Sequence, residues 1–159
     1  QACGHTYGDA AFVISSHVIG MFAPSFFTGP LIRRIGVLPV LAIGVALNLV
    51  TIAIALSGLS LAHFWWALVL LGVGWNFLYI GGTTLLTETY RPEELAKAQG
   101  ANDQAIFIVM VLSSFSAGMT VTLGGWERVN LLALPLIAVI GIAIAWYAVA
   151  GARHAPAAR

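Results

Sequence analysis

The sequence predicts an all-α, polytopic membrane protein. Of the 159 residues 60% are hydrophobic and 8% charged, where a water-soluble domain carries about 25% charged residues. The mean hydropathy is +0.94. The apolar residues also gather into five runs, each near the roughly 20 residues that a helix needs to cross a hydrocarbon core about 30 Å thick. Helices alone suit such runs, because a lone strand in lipid leaves its backbone groups unpaired.

The expected crossings are 11–32, 37–56, 61–87, 105–123 and 131–150, with 88–104 a cytoplasmic loop and 151–159 a cytoplasmic tail. Pro24 lies inside the first run, after Gly20 and before Gly29-Pro30, so that helix is expected to bend. His17, Met21, Ser25 and Thr28 form a stripe along it. The second run is apolar apart from Asn48 and Thr51. The third carries Asn76, Tyr79, Thr83 and Thr87 on one face. Gly72, Gly74, Gly81 and Gly82 thin it, which permits close helix approach or local unwinding beside a ligand. The fourth has a looser stripe of Asp103, Met110, Ser113, Ser114 and Thr120, and the fifth has no charged or amide side chain from Leu131 to Trp146. The first, third and fourth runs are therefore expected to share a polar interior, with the second and fifth toward lipid.

Charge excludes other classes of work. A formal net charge of +1 makes no field for a polyanion, so nucleic acid is not an expected partner. The single cysteine, Cys3, allows neither an intrachain disulfide nor a cysteine metal cage. No metal site and no cofactor is expected, since His5, His63 and His154 have no ligand spacing with one another. No nucleophile stands with a base, so an enzyme is not expected. The opening segment lacks the features of a signal peptide, and an odd number of crossings suggests a piece of a longer chain.

Lysine and arginine set the orientation. Arg33, Arg34, Arg91, Lys97, Arg153 and Arg159 fall on one side of the expected crossings, and Arg128 on the other. The N-terminal segment is accordingly expected outside and the C-terminus in the cytoplasm, in a multi-pass protein of the cytoplasmic membrane.

Two positions carry chemistry at depth. His17 is an ionisable group about 9 Å inside the first crossing; it is either functional or a neutral imidazole bonded to a backbone carbonyl. Trp75 sits at mid-depth, away from the interfacial belt where tryptophan belongs. Packing or a ligand explains it, and its neighbour Asn76 shares the ambiguity.

The connector Gly29-Pro30-Leu31-Ile32-Arg33-Arg34-Ile35-Gly36 resembles the G-x-L-x-D-R-x-G loop of the major facilitator superfamily, with Arg33 at the Asp position. The stretch 74–104 resembles the tenth helix, the following loop and the start of the eleventh helix of bacterial members. The resemblance implies that the five runs are helices eight to twelve of a twelve-helix transporter. It further implies transport of a small organic solute by alternating access, with the N-terminal half and seventh helix as missing partners. A proton or another ion would be the coupling partner. The expected solute path is His17, Met21, Ser25, Trp75, Asn76, Tyr79 and Thr83. Arg33, Arg34, Glu88, Arg91 and Asp103 are the expected cytoplasmic latch. The alternative is a membrane assembly module that transports nothing.

Overall fold

The computed structural model describes residues 6–154, with side chains through Ala150. Cys3, His5 and Arg159, and the side chains of Arg153 and His154, lie outside the described residues. The described chain is helical and contains no strand: α1 (Tyr7–Phe22), α2 (Ser25–Ile35), α3 (Val37–Ser57), α4 (Leu61–Thr87), a 3-10 turn (Pro92–Glu94) and α5 (Leu95–His154).

Local chemistry starts and stops these helices. Thr6 caps α1: its hydroxyl accepts from the Asp9 N–H at 3.1 Å, and Asp9 Oδ2 accepts from the Thr6 N–H at 2.9 Å. Pro24 separates α1 from α2, which meet at 41°. The bend expected at this proline is present, because its ring removes a donor and crowds the preceding turn. Gly36, at φ 92°, ends α2 and opens α3 in a backbone region that favours glycine. Arg33 and Arg34 occupy the last turn of α2, where positive charge meets the negative helix end.

α4 is the centre of the packing. Its Gly72 faces α1 so closely that a Cβ there would stand 2.5 Å from the His17 carbonyl oxygen; one on Gly20 would stand 2.9 Å from Val69 O. On its other side Gly74 meets α3, where an added Cβ would lie 2.6 Å from Asn48 Nδ2 and 3.1 Å from Gly44 O. The glycines of α4 thus serve close approach, and the helix runs without unwinding from Leu61 to Thr87.

α3 differs from the expectation that its run faces lipid. It lies between α4 and the second arm of α5, where Gly141 approaches Val45. Its outer side, with Ile43, Leu49 and Val50, is exposed. Its polar residues join the packing: Asn48 donates to Gly44 O at 2.8 Å, and Thr51 reaches Ala67 O of α4 at 3.3 Å.

By length and apolarity three helices suffice to cross a membrane, or four when α1 and α2 are taken together. The sequence expectation was five, and the difference lies in α5. A continuous helix of its 60 residues would be roughly 90 Å long, three times the hydrocarbon core. Gly125, at φ 76° and ψ 179°, interrupts it. Ser113, Ser116 and Thr120 before the break line one groove with Val129, Leu132 and Leu136 after it, so α5 folds back on itself. The polar GGWERVN stretch reads as a loop in sequence, yet all but the glycine turn is helical, and Asn130 donates to Trp126 O at 2.9 Å. Of the first arm's expected stripe, Ser113 and Thr120 therefore line a groove with the second arm, whereas Met110 and Ser114 are exposed.

Asp9, Ala10, Leu61, Phe64 and Trp126 surround a cavity of about 270 Å³ at one end of the bundle. There Trp126 Nε1 donates to Ala55 O at 2.9 Å, and its ring meets Phe64 edge-on at 5.1 Å. The start of α1, the α3–α4 turn and the break in α5 thus share one end, and the connectors bearing Arg33, Arg34 and Arg91 lie at the other.

Candidate functional site

The site begins with the carbonyl that Pro24 releases. Ala23 N closes α1 on Ile19 O at 2.8 Å, and Phe27 N and Thr28 N open α2 on Pro24 O at 2.9 Å. Met21 O falls in the gap between these ladders. A buried carbonyl without a donor costs about 1–3 kcal/mol, and α4 supplies the donor. Asn76 Nδ2 donates to Met21 O at 2.7 Å and to Ser25 Oγ at 2.7 Å. Its Oδ1 accepts from Thr28 Oγ1 at 2.7 Å, and that hydroxyl also lies 2.8 Å from Pro24 O. A carbonyl oxygen only accepts, so the nitrogen of the Asn76 amide must face Met21. Asn76 is 1% exposed and Thr28 0%.

One residue along α4 the surface turns aromatic. Trp75 and Tyr79 stack at 4.8 Å with planes 10° apart, and Phe22 at the end of α1 meets Trp75 edge-on at 6.3 Å. Trp75 and Tyr79 are half-buried, whereas Phe22 is 60% exposed. Such a platform offers a planar face to another ring.

His17, one turn before Met21, is half-buried and donates from Nδ1 to Leu68 O at 2.7 Å. The same logic that orients Asn76 fixes the tautomer, leaving Nε2 as the acceptor of the neutral ring. Thr83 Oγ1 is turned onto its own helix, 2.9 Å from Tyr79 O and 3.1 Å from Ile80 O. The structure therefore brings Met21, Ser25, Trp75, Asn76 and Tyr79 together around the α1–α2 bend, with Thr83 a turn beyond and His17 a turn before, held on Leu68 O.

The latch residues are not brought together among the described residues. Arg33 and Arg34 are exposed at the end of α2, Glu88 and Arg91 are exposed beyond α4, and Asp103 is half-buried in α5. The hydrogen bonds of that loop run from the Arg91 N–H to Glu94 at 3.3 Å and from Gln99 to the Tyr90 hydroxyl at 2.8 Å. No group of three His, Cys, Asp or Glu capable of holding a metal occurs among the described residues.

Sequence reasoning left Thr28 and Phe22 out of the site. Thr28 had a usable signal: Pro24 four residues earlier frees backbone acceptors, and Thr28 is the next hydroxyl on the same stripe. Phe22 had none, since its contact with Trp75 depends on where α4 crosses.

Bent, glycine-packed apolar helices around a buried polar cluster define a multi-pass membrane protein. The Major Facilitator Superfamily model matches residues 1–158, and the chain belongs to that family. It is 46% identical over 137 residues to the riboflavin transporter RfnT of Brucella anthropi, a match covering 86% of this chain and 34% of the relative. It is 30% identical over 146 residues to the uncharacterized MFS-type transporter YddS of Bacillus subtilis, covering 91% of this chain and 34% of that one. It is 33% identical over 131 residues to YdeG of the same organism, another uncharacterized MFS-type transporter, covering 81% and 30%. The chain spans about a third of the length of these curated relatives. No solved structure matches it.

Proposed function

We propose that the complete protein containing this chain transports a flat aromatic solute of the flavin class, with riboflavin the first to test. The observation that carries this reading is the Trp75–Tyr79 stack, open beside Phe22 at the helix bend. A planar ring system fits such a face, and among the described residues no lysine or arginine stands at its depth to hold a phosphate. The 46% identity to a protein named as a riboflavin transporter supports the same choice.

In this reading His17, Met21, Ser25, Trp75, Tyr79 and Thr83 border the solute path. Asn76 acts on the path through the bend, since its amide is already engaged on both its nitrogen and oxygen sides. The α1–α2 pair, α3, α4 and the two arms of α5 are helices eight to twelve of a twelve-helix transporter. The start of α1 faces outward and the tail faces the cytoplasm. Movement is by alternating access, one bundle rocking against the other, driven by a proton or another ion. Arg33, Arg34, Glu88, Arg91 and Asp103 would then find their latch partners in the remainder of the protein.

The test is uptake of labelled riboflavin by a riboflavin-requiring bacterium that expresses the complete protein. Uptake above the empty-vector level supports the reading; growth and uptake no better than the vector overturn it.

A further inference from the structure

Ser25 is the first residue of α2 and is exposed. Its hydroxyl has one hydrogen to donate and two lone pairs to accept. Asn76 Nδ2, at 2.7 Å, fills one lone pair, so the hydroxyl hydrogen cannot point at Asn76. Met21 O, the nearest released carbonyl, takes the other hydrogen of the same amide, and Ser25 Oγ makes no bond to it. Pro24 O lies against Thr28 Oγ1 and the N–H groups of Phe27 and Thr28. Among the described residues no group accepts from the Ser25 hydroxyl. A buried side chain thus holds an exposed hydroxyl by its oxygen, leaving the hydrogen free to donate, three residues past Phe22, which meets Trp75 edge-on, and against Asn76, the neighbour of Trp75 in α4.

We propose that Ser25 is the specificity-determining donor of this site, giving its hydroxyl hydrogen to a ring carbonyl of an aromatic solute stacked on Trp75 and Tyr79. Asn76 is the positioning residue that aims it. The assignment rests on the flavin reading above and adds to it which atom of the protein reads the solute. Stacking alone tolerates any flat ring. A donor fixed at its edge selects rings that carry an oxygen acceptor, because a site built around a hydrogen bond rejects analogues that lack it.

The experiment uses the purified complete protein in lipid nanodiscs and the quenching of riboflavin emission on stacking. Competition with riboflavin analogues bearing sulfur in place of the 2- or 4-carbonyl oxygen, a weaker acceptor, reads the hydrogen bond. The wild-type protein is expected to prefer riboflavin over one of these analogues about fivefold. Ser25→Ala should bind riboflavin about fivefold more weakly and lose that preference, while quenching at saturation persists. Ser25→Thr, which keeps the donor, should retain the preference, and Asn76→Ala should lose it with the stack intact. Equal preference in the wild type and Ser25→Ala overturns the assignment and leaves the flavin reading standing. Absence of quenching by the wild-type protein overturns both.

Discussion

Asn76 and Met21 lie 55 residues apart in the chain and 2.7 Å apart in space, amide nitrogen to carbonyl oxygen. The proline that bends one helix creates the acceptor, and the helix crossing it brings the donor. The direction of this bond decides how substitutions behave. Asn76→Ala removes the donor and leaves Met21 O unpaired, at a cost of about 1–2 kcal/mol. Asn76→Asp puts an acceptor against an acceptor, or a charge at membrane depth costing about 2.5–3.5 kcal/mol. Thermal unfolding of the complete protein in nanodiscs should rank wild type above Ala and Ala above Asp. An Asp form as stable as the Ala form would refute the amide orientation.

Glycines of α4 should respond according to what they face. A methyl on Gly72 collides with backbone at 2.5 Å, which cannot move without separating α1 from α4; around Gly82 nothing lies within 4 Å. Gly72→Ala should therefore destabilise by about 1–3 kcal/mol. Gly82→Ala should be neutral or stabilising by up to about 1 kcal/mol, the gain in helix propensity. Unfolding midpoints of the two variants in the same detergent separate them.

Trp75 is expected to matter for the solute more than for the fold. Trp75→Phe keeps a ring against Tyr79, whereas Trp75→Ala removes the platform. Aromatic pairs contribute about 0.5–1.5 kcal/mol, so under the proposed flavin transport Trp75→Ala should raise the half-saturating riboflavin concentration roughly 2- to 12-fold. Uptake kinetics at matched expression check this, with Phe close to wild type.

Orientation is open to a direct chemical readout. Glu127 and Glu93 are both exposed and lie at opposite ends of the bundle. With Cys3 replaced by serine, a membrane-impermeant maleimide should label Glu127→Cys in whole cells, and should label Glu93→Cys only after lysis. The reverse pattern would invert the topology.

Much of the architecture is legible from the sequence, because in lipid the backbone must satisfy itself and apolar runs of sufficient length have one solution. Pro24 announced its bend for the same reason. The partners of the polar residues were not legible. Asn76, Tyr79, Thr83 and Thr87 share a stripe, which reads as a wetted face. Yet Thr83 and Thr87 bond to carbonyls of their own helix, and Asn76 closes a break in another. Periodicity reports which side of a helix a residue occupies and is silent on what stands opposite. The Gly20–Gly72 contact is hidden likewise, since each glycine looks alike until the two helices cross. The short interval between the arms of α5 reads as a loop because it is polar, whereas one glycine at positive φ makes the reversal.

The turn at Gly125 leaves no slack between the arms it joins. A helix advances about 100° in azimuth per residue, so one residue inserted after Gly125 would swing the whole second arm by that angle. Gly141 would leave Val45, and the Trp126 tie to Ala55 would have to break or drag the arm back. Gly125 and Trp126 constrain the composition of this corner, and its length is geared to the facing of everything that follows.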